Sequence, residues 1–277
     1  MKPAAFDYVR PKTVAEATEL LARAGTSAAV IAGGQSLIPM LNLRIAQPDL
    51  LVDVGGLEEL KETGETADGL RIGALTTHSD IEDGKLPDLF GGLMQHVASG
   101  ISYRAIRNYG TIGGSVALAD PAADWPVCLM ALGANVRIAT RNGTRPEPVS
   151  DFVRGQYTTS LEKDEIILGF DLKRPQAPLR WGSSKVARKS GAFASSIAIV
   201  VEPGNGGPVA VALAGAGPRA CLLPGVAKQV SSGASSDDML RATVAQDLAV
   251  LAPETDSYSR RLHASTVLRA VRDMRSR

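Results

Sequence analysis

Two double-glycine segments constrain this chain more than any other feature of its sequence. The first is AVIAGGQSLIPMLNLR at 29–44, and the second is NYGTIGGSVALADPAAD at 108–124. In each segment, hydrophobic or β-favouring residues lead into two glycines and then into residues whose backbone amides can face an anion. Glycine lets backbone N–H groups approach a ligand closely, and a following helical turn adds partial positive charge. Two such loops predict one diphosphate ligand held from two sides.

The backbone amides of these loops are the expected ligand contacts. The first row of N–H donors comprises Gly33, Gly34, Gln35, Ser36 and Leu37, and the Ser36 hydroxyl adds a further donor. The second row comprises Gly110, Thr111, Ile112, Gly113 and Gly114. A double glycine after a strand also fits an ordinary tight turn, so the residues alone leave both interpretations open.

Two other kinds of nucleotide-binding site are alternatives to this interpretation. Asp53 follows Gly33 at about the spacing (~20 residues) of the ribose-binding acid in a Rossmann site. The first loop lacks the G-x-G-x-x-G spacing, however, and Pro39 stands where the phosphate-binding helix would continue. Neither loop contains the Gly-Lys-Ser/Thr sequence of a Walker A motif. Both alternatives are therefore disfavoured.

Composition and charge exclude several classes of protein. The 277 residues are 44% hydrophobic and carry a formal net charge of +1, which predicts no binding to nucleic acid or to an anionic membrane. No window reaches the ~18 apolar residues of a membrane span, and the first residues form no apolar run, so we expect a cytoplasmic protein. Cys128 and Cys221 are too few to hold an iron–sulfur cluster. One disulfide is possible, but buried thiols are expected.

Two charged residues outside the glycines are candidates for ligand contacts. Asp124 is close enough to the second loop to accept hydrogen bonds from ligand hydroxyls, although it also fits a helix cap before Trp125. Lys185 offers a cation to an electron-rich ring or a carbonyl, and a solvated lysine is the alternative. The three histidines have no metal-binding spacing, and no nucleophile–base pair is evident, so hydrolysis is poorly supported.

Periodicity and turn signals predict a mixture of helices and strands. A short buried strand is predicted at 28–32, and further strands are predicted at 50–54, 70–74, 136–139, 165–172, 195–201 and 208–214. The first helix is predicted to begin at a capping box formed by Thr13 and Glu16 and to end at Gly25. A helical region is predicted to open at 76, and further helices are predicted at 87–99, at 121–132 with Asp120 as the N-cap, at 237–251 and at 258–274. Hairpins are predicted at Asn142-Gly143 and at 203–207. The last hundred residues read as a sheet covered by helices on one face, an α+β arrangement.

Three segments in order, AGGQSLIPMLNLR, RNYGTIGGSVALADPAAD and SSKVARKSGAFA, resemble the FAD-binding medium subunit of the molybdenum hydroxylase, or xanthine dehydrogenase, family. The likeness spans nearly the whole chain. It implies an α+β protein with a vanillyl-alcohol-oxidase-type (PCMH-type) FAD-binding domain over residues 1–175. That domain would comprise lobes of about 1–55 and 56–175, and a C-terminal domain of sheet and helices would follow over 176–277.

The resemblance also implies roles for individual residues. The residues implied to wrap the FAD pyrophosphate in the first loop are Val30, Ile31, Ala32, Gly33, Gly34, Gln35, Ser36 and Leu37. Those implied in the second loop are Thr111, Gly113, Gly114 and Ser115, beside Gly110 and Ile112. Asp124 would bind cofactor hydroxyls, Ile101 and Ile167 would pack against the cofactor, and Lys185 would lie near the flavin ring. The family often has Asn at the position of Ser115 and Asp at that of Ala192.

The function implied by the resemblance is electron relay. A molybdopterin large subunit would oxidise the substrate, and an iron–sulfur small subunit with [2Fe-2S] clusters would pass electrons to noncovalently bound FAD on this chain. NAD, a quinone or oxygen would then accept them, and no side chain of this chain needs to act as a catalytic acid or base. Two other functions stay open: a stand-alone FAD-dependent oxidoreductase acting on a small molecule, and a non-enzymatic FAD-fold binding module.

Overall fold

A computed structural model describes residues 2–233 and 236–277, which form eleven α-helices and fourteen β-strands. The helices are α1 (Val14–Ala24), α2 (Leu37–Asn42), α3 (His78–Glu82), α4 (Leu93–Ser99), α5 (Arg104–Arg107), α6 (Ile112–Leu118), α7 (Asp124–Ala131), α8 (Val149–Phe152), α9 (Pro224–Ser231), α10 (Asp237–Leu251) and α11 (Ser257–Ser276). The strands are β1 (Asp7–Val9), β2 (Ala28–Ile31), β3 (Leu50–Asp53), β4 (Gly64–Glu65), β5 (Gly69–Gly73), β6 (Asn135–Thr140), β7 (Gly143–Pro148), β8 (Val153–Gly155), β9 (Thr158–Thr159), β10 (Ile166–Lys173), β11 (Arg180–Ala187), β12 (Ala194–Glu202), β13 (Ala210–Ala214) and β14 (Cys221–Leu222).

The chain begins with a parallel three-stranded sheet in the order β1-β3-β2, packed against helix α1. The Thr13 side chain accepts the Glu16 N–H, as the sequence predicts, and Gly25 ends the helix with a φ of 62°. The capping box is only half formed, because the Glu16 carboxylate accepts the N–H of Lys12 instead of that of Thr13. Strand β2 leads directly into the first glycine loop. It is not the buried strand predicted, because Val30 is exposed.

A five-stranded antiparallel sheet follows, in the order β4-β5-β10-β6-β7. The hairpin predicted at Asn142-Gly143 joins β6 to β7, with Thr140 paired to Gly143. At Gly169 the ladder between β10 and β6 shifts register, and this glycine has a φ of 156°. A Cβ there would lie 2.2 Å from the Ile72 carbonyl oxygen, so only glycine lets β10 approach β5 this closely.

Two helices begin later than the sequence predicts. Helix α4 starts at Leu93 instead of 87, because the Asp88 carboxylate accepts the N–H groups of Phe90 and Gly92 and holds the preceding residues in a turn. Helix α7 starts at Asp124, and its N-cap is Ala123. The predicted cap, Asp120, instead accepts the Ala122 N–H in a turn before the helix.

The remainder is a four-stranded antiparallel sheet, β11-β12-β13-β14, packed against helices α9, α10 and α11. The hairpin predicted at 203–207 joins β12 to β13, and the helices predicted at 237–251 and 258–274 are confirmed as α10 and α11. Mixed helices and sheets confirm the α+β class. The predicted domain boundary at 175 lies between β10 and β11. The largest hydrophobic core contains residues from both sides of this boundary, among them Leu93, Trp181 and Ile197. The division into domains stays a prediction.

Candidate functional site

Both glycine loops line one cavity of about 510 Å³, a volume typical of small-molecule sites. It lies among the first loop, the second loop and strand β11. The predicted site residues that line it are Val30, Ala32, Gly33, Gly34, Gln35, Ser36, Leu37, Ile101, Gly110, Thr111, Gly113, Gly114, Ser115, Asp124, Ile167 and Lys185. Two predicted residues do not line it: Ile31, in strand β2, and Ile112, which lies fully inside the hydrophobic core.

The two loops contact each other through glycines. A Cβ built on Gly33 would lie 1.8 Å from the carbonyl oxygen of Tyr109, well below any real contact distance. A Cβ on Gly113 would lie 2.6 Å from the Ala74 carbonyl oxygen, behind the second loop. These two positions require glycine because another backbone segment passes directly over them, and this packing brings the loops together at one side of the cavity.

The first loop presents free backbone donors. Within the described residues, the N–H groups of Gly34, Gln35, Ser36 and Leu37 have no protein acceptor. Gly34 has a φ of 72°, a conformation that glycine adopts without strain, and the Gln35 side-chain amide donates to the Gly33 carbonyl at 2.9 Å and braces the turn. Consecutive unpaired N–H groups before a helix are a general means of binding a phosphate group.

The second loop differs from the prediction, because most of its amides are already used. The N–H groups of Gly110, Ile112, Gly113 and Gly114 all donate to protein acceptors at 2.8–3.0 Å. The acceptors for Ile112 and Gly113 are the carbonyls of Thr76 and Ala74, at the end of strand β5. The second loop therefore does not present a row of free amides. It contributes close-packed glycines and the hydroxyl groups of Thr111 and Ser115.

Asp124 and Lys185 form an ion pair inside the cavity. The Lys185 ammonium group lies 2.8 and 2.9 Å from the two carboxylate oxygens of Asp124, and it also donates to the Gly100 carbonyl at 2.9 Å. The Lys185 side chain is 23% exposed, and the Asp124 side chain is 12% exposed. Burial raises the pKa of Asp124, and the charge of Lys185 partly offsets that rise. The pair fixes a carboxylate at the cavity wall, with lone pairs left to accept from ligand hydroxyls.

Ile101 is held at the cavity wall by an arginine that the sequence did not single out. The Arg107 guanidinium donates to the carbonyls of Ile101 and Ser102 at 2.9 and 3.1 Å. It also makes a two-point ion pair with the Glu82 carboxylate, at 2.8 Å for each contact. Planar guanidinium geometry suits this arrangement of four acceptor contacts, so Arg107 orients the segment that carries Ile101.

Sequence reasoning missed two cavity residues that the fold brings to the loops. His78 is 6% exposed, lines the cavity and accepts a hydrogen bond from the Trp125 indole N–H at 3.0 Å through Nδ1. Phe193 lines the mouth and is 67% exposed. The motif TTHSD predicts a helical region from 76 but carries no signal that places His78 against the second loop.

The part of the chain that the structure describes contains neither a metal-binding cluster nor a membrane-spanning helix. Across residues 2–233 and 236–277, no three His, Cys, Asp or Glu side chains are grouped so as to hold a metal ion. In the same residues, no helix is long and apolar enough to cross a membrane. Cys128 and Cys221 are both free thiols; Cys128 is buried, as expected, whereas Cys221 is only partly buried.

Comparison with known proteins identifies the class to which this cavity belongs. Residues 4–174 match the family described as the FAD binding domain in molybdopterin dehydrogenase. The chain is 32% identical to the carbon monoxide dehydrogenase medium chain of Hydrogenophaga pseudoflava, over 92% of this chain and 90% of that protein. It is 36% identical to the nicotine 6-hydroxylase medium subunit of Paenarthrobacter nicotinovorans, over 73% and 70% respectively. The chain therefore belongs to the FAD-binding family of the molybdopterin dehydrogenases.

Solved structures agree with this assignment over the whole chain. Carbon monoxide dehydrogenase from Hydrogenophaga pseudoflava superposes with a TM-score of 0.92 at 30% identity, covering 100% of this chain and 99% of the other. Quinoline 2-oxidoreductase from Pseudomonas putida 86 superposes with a TM-score of 0.86 at 29% identity, covering 98% and 99%. The predicted fold and the predicted class of FAD-dependent oxidoreductase subunit are confirmed.

The residues of the cavity fit FAD. Free amides at Gly34 to Leu37 match a diphosphate, and Gly33 leaves no side chain between the loops. The Asp124 carboxylate, which is charge-balanced by Lys185, is an acceptor for hydroxyl groups without adding net negative charge. Ile101 and Ile167 supply apolar walls for ring systems.

Proposed function

We propose that this chain is the flavin-carrying medium subunit of a molybdenum-containing dehydrogenase, and that the cavity between its glycine loops holds FAD noncovalently. The observation that carries the proposal is the row of unpaired amides at Gly34 to Leu37, at one end of a cavity that also contains a paired carboxylate. Bound FAD supplies one- and two-electron redox chemistry. The part of this chain is to bind, orient and shield it.

Each group in the cavity has a distinct role in this proposal. The first-loop amides and the Ser36 hydroxyl bind the diphosphate, and the hydroxyl groups of Thr111 and Ser115 approach it from the second loop. Asp124 accepts from ribityl or ribose hydroxyls, while Lys185 keeps its carboxylate ionised and in place. Arg107 fixes the backbone of Ile101 and Ser102, so that the cavity wall is rigid before the cofactor binds.

The proposed partners are supported by two relatives, a carbon monoxide dehydrogenase medium chain and a nicotine 6-hydroxylase medium subunit. We propose an iron–sulfur small subunit with [2Fe-2S] clusters as the electron donor and a molybdopterin large subunit as the site of substrate oxidation. NAD, a quinone or oxygen is the proposed acceptor. Two free cysteines and the absence of a spanning helix among the described residues are compatible with the cytoplasmic location we propose.

The first experiment is the visible spectrum of the purified chain before and after addition of FAD, with the heat-released cofactor identified by chromatography. Flavin bands and released FAD are expected. A chain that stays colourless in a large excess of FAD, and colourless again when co-expressed with its partner subunits, would refute the proposal and leave a non-enzymatic binding module.

A second experiment separates the subunit from a stand-alone oxidoreductase. The FAD-loaded chain alone is expected to turn over organic substrates negligibly, whereas the chain assembled with its partners is expected to show reduction of the flavin by substrate. Rapid flavin reduction by an organic substrate in the isolated chain would instead favour the stand-alone function. The Gly33→Ala variant, in which the added Cβ must separate the loops, is the matched control for signal that depends on FAD.

A further inference from the structure

The imidazole ring of His78 lies where the two glycine loops meet. A Cβ on Gly110 would lie 2.8 Å from His78 Nε2 and 2.9 Å from Cδ2, so the ring packs directly on the backbone of the second loop. Gly33 of the first loop packs on the same segment, because a Cβ there would lie 3.2 Å from the Gly110 nitrogen. His78 is therefore beside the point where the free amides of the first loop begin.

The protonation of this imidazole is fixed by its neighbour. Trp125 Nε1 is a hydrogen-bond donor only, and it lies 3.0 Å from His78 Nδ1, so Nδ1 carries the lone pair and Nε2 carries the proton. Burial, aided by the charge of Arg107, lowers the pKa of His78 to about 4. At neutral pH the ring is thus an uncharged donor that points a single N–H away from Trp125.

That N–H has no acceptor within the protein. No described residue accepts a hydrogen bond from His78 Nε2, although the side chain is 94% buried. The only fully enclosed, unpartnered side-chain oxygen or nitrogen among the described residues is Gln95 Oε1, so His78 Nε2 retains access to the cavity that the ring lines. A largely buried donor without a protein partner carries a desolvation cost that a ligand acceptor in the cavity would remove.

We propose that His78 is a further ligand-binding residue of this cavity, whose Nε2–H donates a hydrogen bond to an anionic oxygen of the diphosphate of the bound dinucleotide. The inference rests on the proposed function, since it takes FAD as that dinucleotide. It also accounts for the asymmetry of the loops. The amides of Gly110, Ile112, Gly113 and Gly114 are used within the protein, and His78 adds a side-chain donor on that side, beside the hydroxyl groups of Thr111 and Ser115.

Two variants at this position separate the donor from the contact with Trp125. In His78→Asn, the side-chain oxygen takes the place of Nδ1 and still accepts from Trp125, but no donor reaches the position of Nε2. In His78→Gln, the side-chain amide reaches the position of Nε2, while the acceptor for Trp125 is lost. The two substitutions therefore remove one hydrogen bond each.

The test measures the dissociation constants of FAD and of riboflavin, which lacks phosphate groups, by fluorescence titration of the full chain. For FAD, His78→Asn is expected to raise the dissociation constant about tenfold or more, and His78→Gln less than about threefold. For riboflavin, both variants are expected to match the wild-type protein. Near-ultraviolet circular dichroism verifies that each variant is folded.

The outcomes distinguish this inference from the function on which it rests. Equal FAD affinity in wild type and His78→Asn, equal losses for FAD and riboflavin, or a larger loss in His78→Gln would overturn it while leaving FAD binding intact. Failure of the wild-type protein to bind FAD would overturn both. If neither variant folds, ¹⁵N spectra of histidine-labelled wild-type protein decide: the Nε2–H signal of His78 must shift on addition of FAD and not on addition of riboflavin.

Discussion

Replacing Lys185 with methionine removes the cation that balances Asp124 in the cavity. The two carboxylate oxygens lie 2.8 and 2.9 Å from the Lys185 ammonium group, and the carboxylate is 12% exposed. Removing one partner of a buried pair costs ~3–5 kcal/mol, and the 23% exposure of Lys185 places this pair at the lower end. We expect Lys185→Met to lower the free energy of unfolding by about 3 kcal/mol at neutral pH, as measured by urea denaturation.

The pH dependence of this loss has a definite sign. Burial raises the pKa of Asp124 in the folded protein, and without Lys185 that pKa rises further. A carboxyl group whose pKa is higher in the folded than in the unfolded state destabilises the fold when it is ionised. This penalty decreases as the pH falls below the folded-state pKa, and it is gone below the unfolded-state pKa. The difference in unfolding free energy between wild type and Lys185→Met is therefore expected to be smaller when measured at about pH 5 than at about pH 8.

The Asp124→Asn/Lys185→Met double variant is the control for this prediction. It buries no charge, so we expect it to be more stable at about pH 8 than Lys185→Met alone, with little change as the pH falls. Two results together would show that the charge of Asp124 is not what Lys185 stabilises. The loss of unfolding free energy in Lys185→Met would be the same at both pH values, and the effects of the two substitutions on unfolding free energy would be additive in the double variant.

Two further predictions concern the loops and the helix that carries His78. Gly33→Ala places a Cβ 1.8 Å from the Tyr109 carbonyl oxygen and must separate the loops, so FAD affinity is expected to fall about tenfold or more in fluorescence titration. Gly64→Ala, with no atom within 4 Å of its Cβ, is the matched glycine control, and equal affinities in both variants would contradict the prediction. Thr77→Ala removes the N-cap of helix α3 and is expected to lower the free energy of unfolding by ~1 kcal/mol, as measured by urea denaturation. Thr77→Ser keeps the hydroxyl group and is expected to lower it by less than half as much. Equal losses in the two variants would refute the capping role.

Local signals predicted the elements whose cause is local. The hairpins at Gly143 and at 203–207, the N-cap at Thr13 and the two C-terminal helices are all determined by residues within a turn or two of one another. The start of helix α7 was predicted wrongly because an aspartate before a proline fits both a cap and a turn. Asp120 accepts the Ala122 N–H in a turn, and only the packed structure shows which of the two forms.

The candidate site likewise has features that the local sequence predicts and features that it does not predict. The sequence predicts the free amides of the first loop, because their geometry depends on adjacent residues. It does not predict that the amides of Ile112 and Gly113 are used by the end of strand β5, since those acceptors lie far upstream in the chain. The pairing of Asp124 with Lys185 spans 61 positions and joins the second loop to strand β11. Contacts of this kind follow from topology, and no spacing rule in the sequence encodes them.

The cavity is assembled from parts of the chain that belong to different sheets. The first loop follows β2 of the parallel sheet, the second loop is fastened to the end of β5, and Lys185 projects from β11 of the C-terminal sheet. A ligand that contacts all three binds only when the three are correctly docked. Ligand binding therefore stabilises the docked arrangement. The stabilisation grows with the logarithm of the ratio of ligand concentration to dissociation constant. The charge pair between Asp124 and Lys185 and the glycine contact at Gly33 hold the same arrangement before the ligand arrives, which reduces the ordering that binding itself must supply.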